Sequence, residues 1–111
     1  MIFHITTGSQ WSRASEAGSY EAESLAIEGF IHCSEEHQVA RVANERFPGH
    51  EDLVVLHIAE GRLDAPVKRE NLEGGSELFP HVYGPLPVNA VVKVSVFEPG
   101  PDGDFAFSVR S

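Results

Sequence analysis

The chain has little of three features that mark particular classes of protein: cysteine, basic side chains and long apolar runs. Cys33 is the one cysteine among 111 residues, so no disulfide can form within the chain, which is typical of a reducing compartment. Eight basic residues stand against seventeen acidic ones, giving a net charge of −9. Because binding to a large nucleic acid depends on lysine and arginine that neutralise phosphates, no such partner is expected.

Long hydrophobic segments are also missing. The most apolar stretch, residues 88–97, is interrupted by Asn89, Lys93 and Ser95, so a membrane span is not expected. The sequence starts Met1-Ile2-Phe3-His4, without the basic segment or apolar core of a signal peptide, and this predicts a cytoplasmic protein. The hydrophobic content of 41% over 111 residues predicts a single domain over residues 1–111.

The order of predicted elements indicates the α+β class, because helices come early in the chain and strands come late. Ser9 and Ser34 are both suitable helix N-caps, and residues 53–58 form a nearly continuous apolar run that is typical of a buried strand. The predicted helices are 10–17, 22–27 and 35–46, and the predicted strands are 2–6, 30–33, 53–58, 67–70, 91–97 and 105–109.

Three segments repeat one pattern, a histidine followed two residues later by a hydroxyl. Residues two apart on a strand point to the same face of the sheet. If the three strands are neighbours, their imidazoles and hydroxyls converge on one surface, which suits a hydroxyl-rich or phosphorylated ligand. The three pairs are His4 with Thr6, His32 with Ser34, and His81 with Tyr83.

The remaining histidines and the cysteine are interpreted as structural. His37 and His50 are expected to be solvated, and His57, within an apolar run, is expected to bond a backbone group. Cys33 follows His32 directly, so the two side chains point apart on a strand, and a buried structural cysteine is favoured over a nucleophile. Three strand-borne histidines could bind zinc, but the usual metal-ligand spacings are absent and no metal is expected.

Two blocks of sequence resemble the bacterial domain of unknown function family 952. They are Glu-Gly-Phe-Ile-His-Cys-Ser at residues 28–34 and Phe-Pro-His-Val-Tyr-Gly-Pro-Leu at residues 79–86. The resemblance runs from Ile2 to about Val96, nearly the whole chain. The name of this family states that its activity is not established.

The order of the motifs is also similar, more distantly, to the catalytic lobe of RNA 2′-phosphotransferases, which have the ADP-ribosyltransferase fold. The matching positions are residues 4–6, 32–34, 54–56 and 86–87. This resemblance implies a split mixed β-sheet with two to three short helices around a cleft for NAD. It also implies that His4 touches a ribose hydroxyl, that His32 and Ser34 line the cleft, and that Tyr83 flanks the base.

Three hypotheses on function follow from the residues and the resemblance. The first is a transferase or hydrolase acting on NAD, ADP-ribose or a nucleotide-like small molecule. In it Glu70 stabilises positive charge in the transition state, and Arg69 or Arg13 stands for the arginines of the related enzymes. Its catalytic residues are His4, His32, Glu70 and His81, and its cofactor-binding residues are His4, Thr6, Ser34 and Tyr83.

The second hypothesis is a catalytically silent module that binds a nucleotide or another small molecule in the same cleft. The lack of clear counterparts of the catalytic arginines of the related enzymes favours it. The third is a zinc-dependent hydrolase that uses His4, His32 and His81. In all three the partner is a small molecule, and the oligomeric state is left open.

Overall fold

The computed structural model describes residues 1–72 and 74–109. Three α-helices occur early in the chain: α1 (Gly8–Ala17), α2 (Glu23–Glu28) and α3 (Val39–Arg46). The strands are β1 (Ile2–Thr7), β2 (Ser19–Tyr20), β3 (Ile31–His32), β4 (Leu53–Ile58), β5 (Val67–Glu70), β6 (Phe79–Val82), β7 (Leu86–Pro87) and β8 (Val91–Phe97). The predicted α+β class and the predicted edge strand at residues 67–70 are confirmed.

Two three-stranded sheets carry the fold, in the orders β1-β4-β8 and β3-β6-β5, and β2 pairs with β7. Every pairing between described strands is antiparallel. Phe3 and Ser34 exchange backbone hydrogen bonds of 2.9 and 2.7 Å, which join β1 to the end of β3. The strands therefore follow the order β8-β4-β1-β3-β6-β5. No parallel pair occurs within the described residues, so the sheet is not mixed there.

A hydrophobic core lies on each face of the β1–β4–β8 sheet. The first contains Ile2 and Leu56 together with Ala14 of α1 and with residues of β3 and β6. The second contains Phe3 and Val55 together with residues of α3 and Phe105. All six residues of β4 are buried, because alternate side chains enter opposite cores, and this is the pattern that its continuous apolar run predicts.

The helix starts differ from their predicted positions. Thr7, not Ser9, is the N-cap of α1, and its hydroxyl accepts a hydrogen bond of 3.1 Å from Gln10 N. Ser34 does not cap a helix: its backbone N–H and carbonyl are both bonded to Phe3, and the next residue takes the cap position. Glu35 is the cap of a 3₁₀ turn over Glu36–Gln38 that leads into α3.

The strand predicted at residues 105–109 is absent, so this prediction was wrong. Asn44 of α3 bonds both backbone groups of Phe105, with its Oδ1 accepting at 2.8 Å and its Nδ2 donating at 3.2 Å. Phe105 is buried in the second core, and Phe107 packs against that core. The segment is thus held by a side chain of α3 and by aromatic packing in place of a strand ladder.

No helix within the described residues is long and apolar enough to cross a membrane.

Candidate functional site

Strands β3 and β6 bring two of the predicted histidines together. His32 and His81 are direct partners in the antiparallel ladder. Their rings meet edge to face, with centroids 5.3 Å apart. The Phe30 ring stacks on His81 at 4.2 Å between centroids, with an interplanar angle of 22°. The site is therefore built around a pair of imidazoles that a buried aromatic ring supports.

Each of these histidines is bonded to a carboxylate. His81 Nδ1 lies 3.0 Å from Glu70 Oε1, and the Tyr83 hydroxyl donates to the same oxygen. His32 Nε2 lies 2.6 Å from Glu28 Oε2. An ionised carboxylate only accepts hydrogen bonds, so each imidazole directs an N–H at its carboxylate and, when neutral, keeps a lone pair on the other nitrogen.

The hydrogen bonds to Glu70 also determine its charge. The bond from Tyr83 and then the bond from His81 lower the pKa of the Glu70 carboxyl below its usual value. Glu70 is therefore ionised near neutral pH. His81 Nε2 has no hydrogen-bond partner within residues 1–72 and 74–109, and no buried polar side-chain atom described there is left unpaired. This nitrogen consequently opens into the adjacent cavity.

A cavity of about 670 Å³ lies beside the two histidines. Its lining includes His32, His81 and Glu70, together with Arg41, Glu45 and Arg46 of α3 and Phe47 directly after that helix. Phe30 and Phe79 supply aromatic surface. Arg41 is bound to Glu77, and its guanidinium carbon lies 6.0 Å from the centre of the Phe79 ring. The cavity thus combines flat apolar surface, imidazole nitrogens and charges of both signs.

His4 and Thr6 do not share the face of His32 and His81, so the predicted convergence of all three pairs was wrong. Ile2 on β1 and Ile31 and Val82 on β3 and β6 enter the same core. By alternation, His4 and Thr6 point to the side of that core, while His32, Ser34 and His81 point to the other side. Residue spacing within each strand could not give the relative orientation of separate strands.

His4 is buried and bonded through both ring nitrogens. Nδ1 donates to the His32 carbonyl, and Nε2 lies 2.8 Å from the Tyr20 hydroxyl. The Tyr20 hydroxyl oxygen also lies 3.0 Å from Thr6 Oγ1. Burial lowers the pKa of His4 to about 4, so the ring is neutral at pH 7. His4 also lines the inner end of the cavity, where it fixes the backbone of His32.

Several other predicted positions are now located. Ser34 is buried and lines the cavity, whereas Tyr83 lines a separate shallow depression with Pro85. Cys33 is buried, as predicted, and burial raises the pKa of its thiol far above the usual value. His57 bonds Ser95 Oγ at 2.7 Å, so the predicted bond to a backbone group was wrong.

The two arginines considered at the sequence level lie away from this cavity. Arg69 is held by Glu35 and Glu60, and Arg13 is exposed on α1. Neither residue lines the cavity.

Sequence reasoning missed Glu28, Phe30, Arg41 and Tyr20 as site residues. Glu28 is the last residue of α2, and Gly29 at φ 89° turns the chain so that Glu28 faces His32 four residues later. The Glu-Gly-Phe-Ile-His block could have predicted this turn, because a glycine directly after a short helix commonly ends the helix in a left-handed conformation. No signal in the sequence placed Tyr20 beside His4, since that contact joins separate elements.

The described residues contain no group of three or more histidine, cysteine, aspartate or glutamate side chains that could hold a metal ion. The three histidines of the zinc hypothesis are divided between the two faces of the sheet.

The sequence model of the family described as "Protein of unknown function (DUF952)" matches residues 5–94. The chain belongs to the DUF952 family. The match includes both blocks that carry the histidine pair, so the paired imidazoles of this DUF952 protein lie within the region that defines the family.

Solved structures agree with the fold of this DUF952 chain. The X-ray crystal structure of protein CC0527 from Caulobacter crescentus has a TM-score of 0.83 and 31% sequence identity, covering 95% of this chain and 92% of that one. The solution NMR structure of the same protein has a TM-score of 0.80 and 32% identity, covering 93% and 89%. No curated protein matches the chain.

Proposed function

We propose that the cavity binds a nucleotide-like small molecule and that His81, oriented by Glu70, acts on it as a general acid or base. The observation that carries this proposal is the carboxylate–imidazole pair, in which Glu70 accepts a hydrogen bond from the Nδ1–H of His81 and Nε2 opens into the cavity. An imidazole in this arrangement has one orientation and one tautomer, which is what proton transfer to a bound substrate requires.

A second carboxylate–imidazole pair lies beside the first. His32 is bonded to Glu28, and its ring contacts the ring of His81. Two adjacent imidazoles, each oriented by its own carboxylate, can serve one reaction as proton acceptor and proton donor. The pair therefore supports a reaction in which one substrate oxygen loses a proton and another gains one, as in a transfer or a hydrolysis.

The ligand class follows from the walls of the cavity. A volume of about 670 Å³ lies within the range of roughly 300–1,000 Å³ that is usual for small-molecule sites. Phe79 is half-buried and lines the cavity, so its ring can support a planar base. The Arg41 guanidinium lies 6.0 Å from the centre of the same ring. A ligand that carries both a flat ring and a phosphate suits an aromatic ring next to a guanidinium, so NAD and ADP-ribose are the first compounds to test.

The roles of the predicted residues are adjusted accordingly. Glu70 is ionised and next to the cavity, so it can also stabilise positive charge on a sugar ring. His32 and Ser34 line the cavity and can contact the ligand. We assign His4 and Thr6 a positioning role, because their polar atoms bond within the fold. Tyr83 acts through its hydrogen bond to Glu70.

A catalytically silent binding module is the second candidate. The observation in its favour is that Glu28, Glu70 and Glu77 are each bonded to a side chain of the protein itself. A ligand must therefore compete with internal partners for every one of these carboxylates. Such a cavity can bind without the free charged groups on which transfer chemistry depends.

The test is a thermal-shift titration of the metal-free protein with NAD, ADP-ribose and their phosphorylated relatives. A ligand at a hundred times its Kd stabilises the native state by about 2.7 kcal/mol, which is several degrees for a domain of this size. We expect a shift with at least one compound that is lost in His81→Gln and in Glu70→Gln. The exposed His50 provides the matched control, His50→Gln, in which the shift should persist.

The outcomes separate the candidates. Ligand-dependent stabilisation together with product detected by mass spectrometry supports the enzyme, and stabilisation without product over a long incubation supports the binding module. If none of the compounds shifts the wild-type protein, the proposal of a nucleotide-like ligand is wrong.

A further inference from the structure

Strand β8 leaves one side of its backbone open. It pairs with β4 along one edge, and no other described strand pairs with it. Val94 and Val96 are opposite Leu56 and Val54, so they lie on the face of the first core, yet Val94 is 38% exposed and Val96 is 76% exposed. The open edge therefore carries unpaired backbone groups next to an exposed row of valines.

The usual protections of an edge strand are weak here. Natural edges are short, interrupted by proline, twisted by bulges or guarded by charged side chains that block pairing. β8 is seven residues long, has no proline, and carries Lys93 as its one charged side chain. The bulge lies at one end, where Val92 is the extra residue between the partners of His57 and Ile58. Residues 93–97 are thus a regular, accessible edge.

Charge favours a second copy of the chain on this edge. The net charge of −9 makes two copies repel each other over most approaches. β8 is an exception, since it contains no acidic residue. Two copies that meet along β8 bring together backbone groups and valines without opposing any carboxylates across the paired strands.

Symmetry and charge together select one register. A two-fold axis through Lys93 would place two lysines opposite each other, which is unfavourable, and an axis through Val94 would require the bulged Val92. An axis through Ser95 pairs the whole regular segment. It places Val94 of each copy opposite Val96 of the other, and each Lys93 opposite a Phe97.

We propose that β8 is a self-association edge on which a second copy docks antiparallel, with Ser95 on the two-fold axis. The resulting interface is isologous, and the β1–β4–β8 sheets of the two copies become one continuous sheet. A five-residue ladder with four valines buries less than the roughly 1,200 Å² of a stable interface. The dimer is therefore weak and depends on concentration.

The first experiment measures the molar mass of the full chain by light scattering and sedimentation, from about 10 µM to about 1 mM. We expect the mass to rise from 12.1 kDa towards twice that value. Val94→Lys and Val96→Glu should each raise the apparent Kd at least about tenfold without lowering the Tm. Ile27 is 72% exposed on α2, so Ile27→Lys is the matched control and should leave the Kd unchanged.

Mixing the two β8 variants tests the register. In the proposed dimer, position 94 of one copy faces position 96 of the other. An equimolar mixture of Val94→Lys and Val96→Glu should therefore form a heterodimer at concentrations where each variant alone is monomeric. A wild-type chain that stays monomeric at 1 mM, single variants that dimerise normally, or a mixture that remains monomeric would each overturn the proposal.

Discussion

At the scale of single residues, His4 shows how one buried imidazole can join two parts of the sheet. Backbone pairing between β1 and β3 is limited to the contact of Phe3 with Ser34. Next to that contact, His4 Nδ1 donates to the carbonyl of His32. The side chain thus replaces a backbone N–H where the strands separate, and it fixes the residue that carries one imidazole of the site.

The protonation of His4 gives a prediction for stability. Its folded-state pKa of about 4 lies below the ordinary 6.5, so the unfolded chain binds the proton more readily, and stability present above pH 6.5 is lost as the pH falls towards 4. Between pH 7 and pH 5 this amounts to about 2 kcal/mol. Urea unfolding of wild type and His4→Gln at both pH values should show a smaller loss in the variant.

A second histidine provides the control for this measurement. His50 is exposed, so His50→Gln should keep the pH dependence of the wild type. Equal losses of stability in wild type and His4→Gln would show that His4 does not contribute the predicted linkage.

At the scale of elements, Gln38 connects the start of α3 to the segment that precedes β6. Its Oε1 accepts from Glu35 N at 2.9 Å, and its Nε2 donates to Leu78 O at 2.9 Å and to Glu77 Oε2 at 3.0 Å. The side chain is 1% exposed. These bonds tie the segment before β6 to the start of α3, and both the segment and the helix contribute residues to the cavity lining.

Removing these bonds should be costly. Gln38→Ala leaves a backbone N–H and a carbonyl without their partners, and we expect a loss of about 2–4 kcal/mol in the free energy of unfolding. Gln38→Glu keeps the shape but places a carboxylate against Glu77 and Leu78 O, so it should also destabilise. The exposed Ser15→Ala on α1 is the control for urea unfolding, and a loss below about 0.5 kcal/mol in Gln38→Ala would contradict this role.

Element types were easier to predict than their relations. The run at residues 53–58 predicted a buried strand, and β4 is one. A strand that is buried on both faces has apolar residues at nearly every position, so its composition identifies it. The predicted start of α3 was misplaced. A serine at position 34 suits a helix N-cap and a strand residue equally well, and only its backbone hydrogen bonds to Phe3 decide between the two. Only part of the site was predictable. Residue spacing shows which side chains share a face within one strand, but it does not show whether His4 and His32, on separate strands, share a face.

At the scale of the whole molecule, the order β8-β4-β1-β3-β6-β5 has consequences that no local pattern contains. It places the first strand between two strands from the middle of the chain and brings residues 4, 32 and 81 into neighbouring strands. The same order leaves β8 at an open edge, far along the sheet from the histidine pair. Ligand binding and self-association are therefore proposed at opposite ends of one sheet.

The acidic charge of the whole molecule gives the last prediction. Seventeen acidic and eight basic residues in a compact chain repel one another more strongly when folded than when unfolded. Salt screens this repulsion over about 10 Å at 0.1 M, so the Tm should rise between 20 mM and 300 mM NaCl at pH 7. Replacing the exposed Glu16, Glu51 and Glu98 by glutamine should raise the Tm at low salt and reduce its dependence on salt. If the Tm falls with added salt instead, the ion pairs of Arg41 and Arg69 with their carboxylates outweigh the net repulsion.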